Sequence, residues 1–316
     1  MRGAKFFKKE LIIVVLYQLG GPEGMAETIN KNIRCLRAPN PSPMTLSGTN
    51  TYLLGQKEIA IIDPGPLNMA HLEAIFRAVG TTSFITKILI THSHLDHSPL
   101  ARLLSEKTSA PIFGFGDSFS GRSSAMIQLA QNGSIGGGEG VDLEFQPDVC
   151  LKDGGIILHE GETITAVWTP GHFGNHLSFG TGETLFSGDH IMGWASSMVS
   201  PPDGDLKAFR QSCQKLLGRP EVFYLPGHGD PIFDGPDRVR WLLAHRNKRE
   251  NQIINSLRKK TGSAADIAER IYTDVDQALV PAATRNVIAH LIDLTERKII
   301  MPAGQVELST KYSLVL

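Results

Sequence analysis

Cysteine is scarce in this 316-residue chain. The three present, Cys35, Cys150 and Cys213, are odd in number and far apart. They form neither a C-x-x-C pair nor a disulfide framework, which points to a reducing compartment and a cytoplasmic protein. An excess of one charge is also missing. The 31 Lys and Arg face 32 Asp and Glu, a formal net charge of −1. No whole-chain field therefore draws in nucleic acid or a membrane surface. A bilayer-length apolar run is absent as well. Leu11-Ile12-Ile13-Val14-Val15-Leu16-Tyr17 is too short to span a membrane. It follows the basic stretch Lys5-Phe6-Phe7-Lys8-Lys9, as in a signal peptide, but Glu10 interrupts it and no A-x-A-like site follows. Residues 1–25 are read as an N-terminal extension with Met25 as an alternative start; a removed export signal is the lesser alternative.

What is present suits a soluble globular protein: 41% apolar and 20% charged residues. The length suits one large domain and one small one. The pattern predicts strands over 48–54 and 58–62, a helix over 69–79, and an apolar run at Lys87-Ile88-Leu89-Ile90. Residues 116–140, rich in Gly and Ser, read as a mobile loop. Strands recur near 156–158, 164–168, 176–179, 184–186 and 221–225, with a helix over 205–217. Composition shifts near Pro236, placing a catalytic domain at 26–240 and a second domain at 241–316. There the pattern predicts a helix over 241–260, a capping box at Ser263–Asp266 opening a helix to Tyr272, and a third helix from Pro281 to Arg297. A hairpin of 299–301 with 306–308 completes a winged-helix-like domain.

The densest chemistry lies in Thr91-His92-Ser93-His94-Leu95-Asp96-His97. An apolar run ending in ligand residues reads as a buried strand that delivers them to a sheet rim. Ser98-Pro99 then reads as the start of a helix, with Ser98 as N-cap. His172, Asp189 and His228 each follow a strand and stand behind a glycine. Imidazole nitrogen and carboxylate oxygen are ligands of catalytic zinc. His92, His94 and His172 suit one zinc, Asp96, His97 and His228 the other, with Asp189 bridging. Two metals roughly 3.5–4 Å apart can ionise a shared water, making a metal-bridging hydroxide the nucleophile. Asp96 is then a candidate to pass the proton. Asp63 has no place among the ligands and is expected to hydrogen-bond and orient the ligand loop. His176 and Trp194 are candidate substrate contacts at the rim. His190 is expected behind the ligands or exposed, and His71, His159, His245 and His290 on the surface or between helices. Iron or manganese suits an all-His/Asp site as well.

These motifs, His92-x-His94-x-Asp96-His97, Thr169-Pro170-Gly171-His172, Ser187-Gly188-Asp189 and Pro226-Gly227-His228-Gly229, resemble those of the metallo-β-lactamase-fold hydrolases. The resemblance spans about Cys35 to Asp234. It implies an α+β fold, a four-layer αββα sandwich with a dinuclear site at one edge of its two sheets. Residues 40–53, Asp189-His190-Ile191-Met192-Gly193-Trp194, Ser200-Pro201-Pro202-Asp203-Gly204-Asp205 and the tail from His245 are similar to the lactamase-beta-like endoribonuclease branch and its bacterial relatives. That likeness implies single-stranded RNA as the leading substrate class. From His245 to Leu316, 11 Lys and Arg face 8 Asp and Glu, a net of +3 that includes Arg258, Lys259 and Lys260. That basic face is mild for nucleic acid. The alternative substrate is a small ester, thioester or lactone, with the tail packing on the catalytic domain or making a homodimer.

Overall fold

Side chains alternating along a strand face opposite sides of its sheet. In the central strands of this chain both sides are buried. The computed structural model describes residues 24–133, 135–273 and 280–315. The expected N-terminal extension lies outside them, save residues 24 and 25. The first sheet holds seven strands in chain order: β1 (Glu27–Asn30), β2 (Ile33–Arg37), β3 (Asn50–Leu54), β4 (Glu58–Ile62), β5 (Phe84–Leu89), β6 (Ile112–Gly114) and β7 (Val149–Cys150). Neighbours from β1 to β4 are antiparallel, and those from β4 to β7 are parallel. Parallel neighbours need crossovers. Helices α1 (Met69–Val79), α2 (Leu100–Thr108) and α3 (Ser124–Asn132) lie on those connections. The second sheet comprises β8 (Ile156–His159), β9 (Glu162–Trp168), β10 (Leu177–Thr181), β11 (Thr184–Gly188) and β12 (Phe223–Pro226), in the order β12-β11-β10-β9-β8.

Alternation then builds the layers. In β4, Ile59 and Ile61 pack on Leu72, Ile75, Leu100 and Leu104 of α1 and α2. The intervening Ala60 and Ile62 pack on Phe179, Phe186 and Leu225 of the second sheet. On that sheet's outer face, Leu185 and Tyr224 meet Phe209 and Leu216 of α4 (Leu206–Leu217) and Val239 and Leu242 of α5 (Gly235–Lys259). Burying each such side chain is worth about 1.5–3 kcal/mol. The result is the expected αββα sandwich.

The tail adds α6 (Ala264–Ile271), α7 (Val280–Glu296), β13 (Ile300–Pro302) and β14 (Tyr312–Leu314). Helix α5 belongs to both parts. Val239 and Leu242 join the sandwich core, while Ile253 and Leu257 join Ile267, Val287 and Leu291 in a separate core. A division at 240/241 therefore falls inside α5. The helix starts earlier than expected because Asp234 caps it, accepting from Asp237 N, with Pro236 in its first turn. The capping box at Ser263 and Asp266 is present.

Three local expectations are corrected. The return strand of the wing is Tyr312–Leu314, paired with Ile300–Pro302, and not 306–308. Tyr312 is buried where Leu308 is exposed, so burial selects the later segment. Residues 116–140 contain α3, and their glycine-rich end is tied down: Gly140 O accepts from Leu95 N and Asp203 accepts from Gly138 N. Ser98 does not cap α2. Its hydroxyl donates to Asp142, and Pro99 occupies the cap position.

Candidate metal centre and its cavity

The site forms where strand ends of both sheets meet. Strand β5 ends at Leu89, and the chain turns through His92 to His97 before α2. His172 follows β9, Asp189 follows β11, and His228 follows β12. Three groups of donor atoms result, each within 4.8 Å: His92, His94 and His172; Asp96, His97 and His228; and His92, His97 and Asp189. Asp189 touches both sides. Its Oδ2 lies 3.7 Å from His172 Nε2 and 3.4 Å from His228 Nε2, and its Oδ1 lies 3.5 Å from His97 Nε2.

The imidazoles are aimed by their other nitrogens. His172 Nδ1 donates to Met198 O at 2.8 Å, and His228 Nδ1 to Gly48 O at 3.2 Å. His97 Nδ1 donates to Asp63 at 2.9 Å. His92 Nδ1 lies 3.0 Å from the Thr91 hydroxyl, which itself donates to Asp63. Each ring is thereby held with its other nitrogen facing the cluster. Asp63 is buried at the end of β4 with φ 51°, in the left-handed region. There its carboxylate takes Thr91 N, the Thr91 hydroxyl and His97 together.

The donor set fits cations. His94 Nδ1 lies 2.9 Å from His92 Nε2 and 3.1 Å from His172 Nε2. One proton cannot satisfy three converging nitrogens. His97 Nε2 and Asp189 Oδ1 are buried with no hydrogen-bond partner among the described residues. Burial, then the neighbouring His172, pushes His94 down to about 3, so it stays neutral. Burial would also lower His97 and His228. The carboxylates outweigh it, holding His97 well above the usual histidine range and carrying His228 up to about 9. Positive charge is what this half of the cluster stabilises. Backbone completes the cradle. A Cβ on Gly227 would meet Asp189 Oδ1 at 2.3 Å and His97 Cε1 at 2.7 Å.

Other expected positions fall differently. His176 does not reach the rim: it is fully buried behind His92, with Nδ1 on the Thr169 hydroxyl. Trp194 is 39% exposed and lines the cavity. His190 points away from the cluster, toward Cys213 and Phe209. His71 and His159 are buried rather than on the surface, bonded to Thr51 and Leu54 O, and His290 is buried between helices.

A cavity of about 470 Å³ opens on the cluster at His94, Asp96, His172, Asp189 and His228. Its walls include Met44, Met192, Trp194 and Met198, with Ala282, Ala283 and Asn286 of α7. His245, Arg246 and Arg249 of α5 join them, as does Tyr272. Sequence reasoning missed this wall and left His245 on the surface or between helices. The available signal was His245, Arg246 and Arg249 at i, i+1 and i+4, a spacing that gathers them on one side of a helix.

A buried His/Asp cluster at the shared rim of two sheets, inside an αββα sandwich, defines a class of metallohydrolase. This chain belongs to the metallo-beta-lactamase superfamily, whose model matches residues 44–228, and this membership makes it a hydrolase. A beta-lactamase associated winged helix domain matches residues 263–304. The chain is 33% identical over 269 residues to the Drosophila melanogaster beta-lactamase-like protein 2 homolog, covering 81% of this chain and 85% of that one. It is 28% identical to an atrochrysone carboxyl ACP thioesterase of Claviceps purpurea, over 78% of this chain and 74% of that one. A metallo-beta-lactamase family protein of Thermus thermophilus shares the fold at 23% identity and TM-score 0.73, covering 91% of this chain and 100% of that one. No helix among the described residues is long and apolar enough to cross a membrane.

Proposed function

We propose that the protein hydrolyses a carboxylic ester, thioester or lactone at a dinuclear metal centre, with zinc as the leading metal and iron or manganese as alternatives. His92, His94 and His172 would hold one ion, Asp96, His97 and His228 the other, and Asp189 would bridge them. Two such ions would supply hydroxide near neutral pH and polarise the carbonyl under attack. Asp96 is the most open of the carboxylates there, with 27% of its side chain exposed, and would receive and return the proton. Asp63 would hold His97 and the ligand turn in place. The observation that carries this reading is the cavity. Its Met, Trp and Ala walls suit an acyl chain of a small molecule. The thioesterase relative agrees with it.

The resemblance put single-stranded RNA first, and the apolar walls reverse that order. RNA cleavage remains a second reading because Arg258, Lys259 and Lys260 end α5 and are exposed. They lie about 13 Å along the helix from Arg249, within reach of a strand leaving the cavity. An N-acetylcysteamine thioester, a lactone and a fluorogenic RNA, each assayed before and after chelation with metal content measured in parallel, separate the readings. The first reading expects two metal equivalents and chelator-sensitive thioester or lactone turnover. RNA cleavage without ester turnover would reverse it, and a metal-free, inactive protein would end both.

A further inference from the structure

The α5 wall of the cavity carries cationic groups with no anionic partner among the described residues. Arg246 is 2% exposed. Its Nη1 donates to Asn286 Oδ1 at 3.0 Å, its Nη2 to Ser197 O, and the guanidinium lies 5.1 Å over the Phe209 ring. Its Nε is buried and unpartnered among the described residues. Arg249 lies 3.9 Å over the Tyr272 ring and donates to Gln252 Oε1 at 2.8 Å, and its Nε is likewise unpartnered among the described residues. Among the described residues neither guanidinium is ion-paired with a carboxylate. The neighbouring Glu250 is taken by Arg210 and Arg297, at 2.6 and 2.7 Å. The cavity's own acids are Asp96 and Asp189 in the cluster and Glu139 on the glycine-rich loop, and none pairs with these arginines. Burial brings the Arg246 guanidinium down to about 10. A buried, hydrogen-bonded cation without a counter-ion is costly unless a ligand supplies one.

We propose that Arg249 and Arg246 bind an anionic oxygen group of the substrate, a carboxylate or a phosphate, on the α5 wall of the cavity. The proposal rests on reading the cavity as an ester or thioester site and adds a charge requirement to it. Consecutive residues of one wall segment hold both groups: Met198 O accepts from the cluster's His172 and Ser197 O from Arg246. The arginines and the cluster therefore face one cavity. A charge-assisted pair of hydrogen bonds to a guanidinium fork supplies the recognition.

Three thioesters test this: pentanoyl-N-acetylcysteamine, glutaryl-N-acetylcysteamine and pentanoyl-phosphopantetheine. The first has no anion, the second carries a carboxylate on the acyl side, and the third a phosphate on the leaving side. The wild type is expected to prefer one anionic substrate over the neutral one by about 10- to 100-fold in kcat/KM, chiefly through KM. Whether the glutaryl or the phosphopantetheine ester is favoured tells which side carries the charge. Arg249→Met should collapse the preference toward unity, and Arg249→Lys should keep part of it. Calorimetry of glutarate and of inorganic phosphate binding to the folded wild type and Arg249→Met gives a readout without turnover. Turnover of all three esters with equal kcat/KM, unchanged by Arg249→Met, overturns the anion subsite and leaves the hydrolase reading intact. Failure to cleave any of them overturns the ester reading instead. The subsite then stands if Arg249→Met weakens anion binding and falls if it does not.

Discussion

On one wall of the cavity, four histidines each commit one ring nitrogen to an oxygen of the fold and turn the other toward Asp96, Asp189 or one another. On the facing α5–α7 side, Met, Ala and Tyr side chains surround two arginines without carboxylate partners among the described residues. The first wall is over-determined: strand ends, close glycines and buried acceptors fix each donor, so it tolerates little change. The second is built from side chains on helices and loops, and its shape can vary without loosening the first. The proposed chemistry and the proposed selectivity thus fall to different structural elements.

The largest expected effect comes from breaking the first wall at the residue that touches both donor groups. Asp189→Ala should lower turnover on the order of a thousandfold and reduce bound metal below two equivalents. Full metal content with near-normal kcat would remove Asp189 from the centre. Gly227→Ala tests the same wall through shape alone, because its Cβ would lie 2.3 Å from Asp189 Oδ1. A loss of about 1–3 kcal/mol of stability is expected from such overpacking, together with reduced metal content. Urea unfolding and metal analysis check it, and a silent substitution would show that the cradle is looser than drawn.

The same contrast explains what could be read from the sequence. His92, His94, Asp96, His97, His172, Asp189 and His228 were legible because few residue types do this chemistry and each follows a strand. The layers were legible because alternation such as Ile59-Ala60-Ile61-Ile62 reports two buried faces. Met44, Met198, Tyr272, Ala282 and Asn286 carry no such mark. They reach the cavity only through the packing of α5 and α7 on the sandwich, across more than 200 residues of chain. His176 misled because its spacing from His172 says nothing of depth. Thr169 and Ser178 hold a buried polar layer there that the spacing cannot reveal. Strand β1 was missed because Glu27-Thr28-Ile29-Asn30 is short, polar and half-buried at the sheet edge.

A smaller effect is expected from the second wall. Trp194→Ala should raise KM for a medium-chain acyl thioester about three- to tenfold, as expected for roughly 1 kcal/mol of lost contact, and leave metal content at its wild-type value. If metal content fell as well, the two walls would not be separable.

A last test, on stability and not on turnover, asks whether the scaffold beneath the first wall is acid-labile. His71 on α1 donates from Nε2 to the Thr51 hydroxyl at 2.9 Å, and Thr51 donates to Asp63 O at 2.7 Å. Burial holds the His71 imidazole down to about 4, against roughly 6.5 in the unfolded chain. Between those values the unfolded state binds the extra proton, so stability rises with pH. The contribution is complete above about pH 6.5 and is lost as pH falls toward 4, by up to about 3 kcal/mol. His71→Gln can still donate to Thr51 but cannot titrate. Its unfolding free energy, from urea midpoints between pH 4 and 7, should fall less steeply with acidification than the wild type's. Parallel slopes would mean that His71 is not the titrating support. The Arg246 guanidinium, brought down only to about 10, stays charged across this whole range, so acid should weaken the support of the first wall before it changes the second.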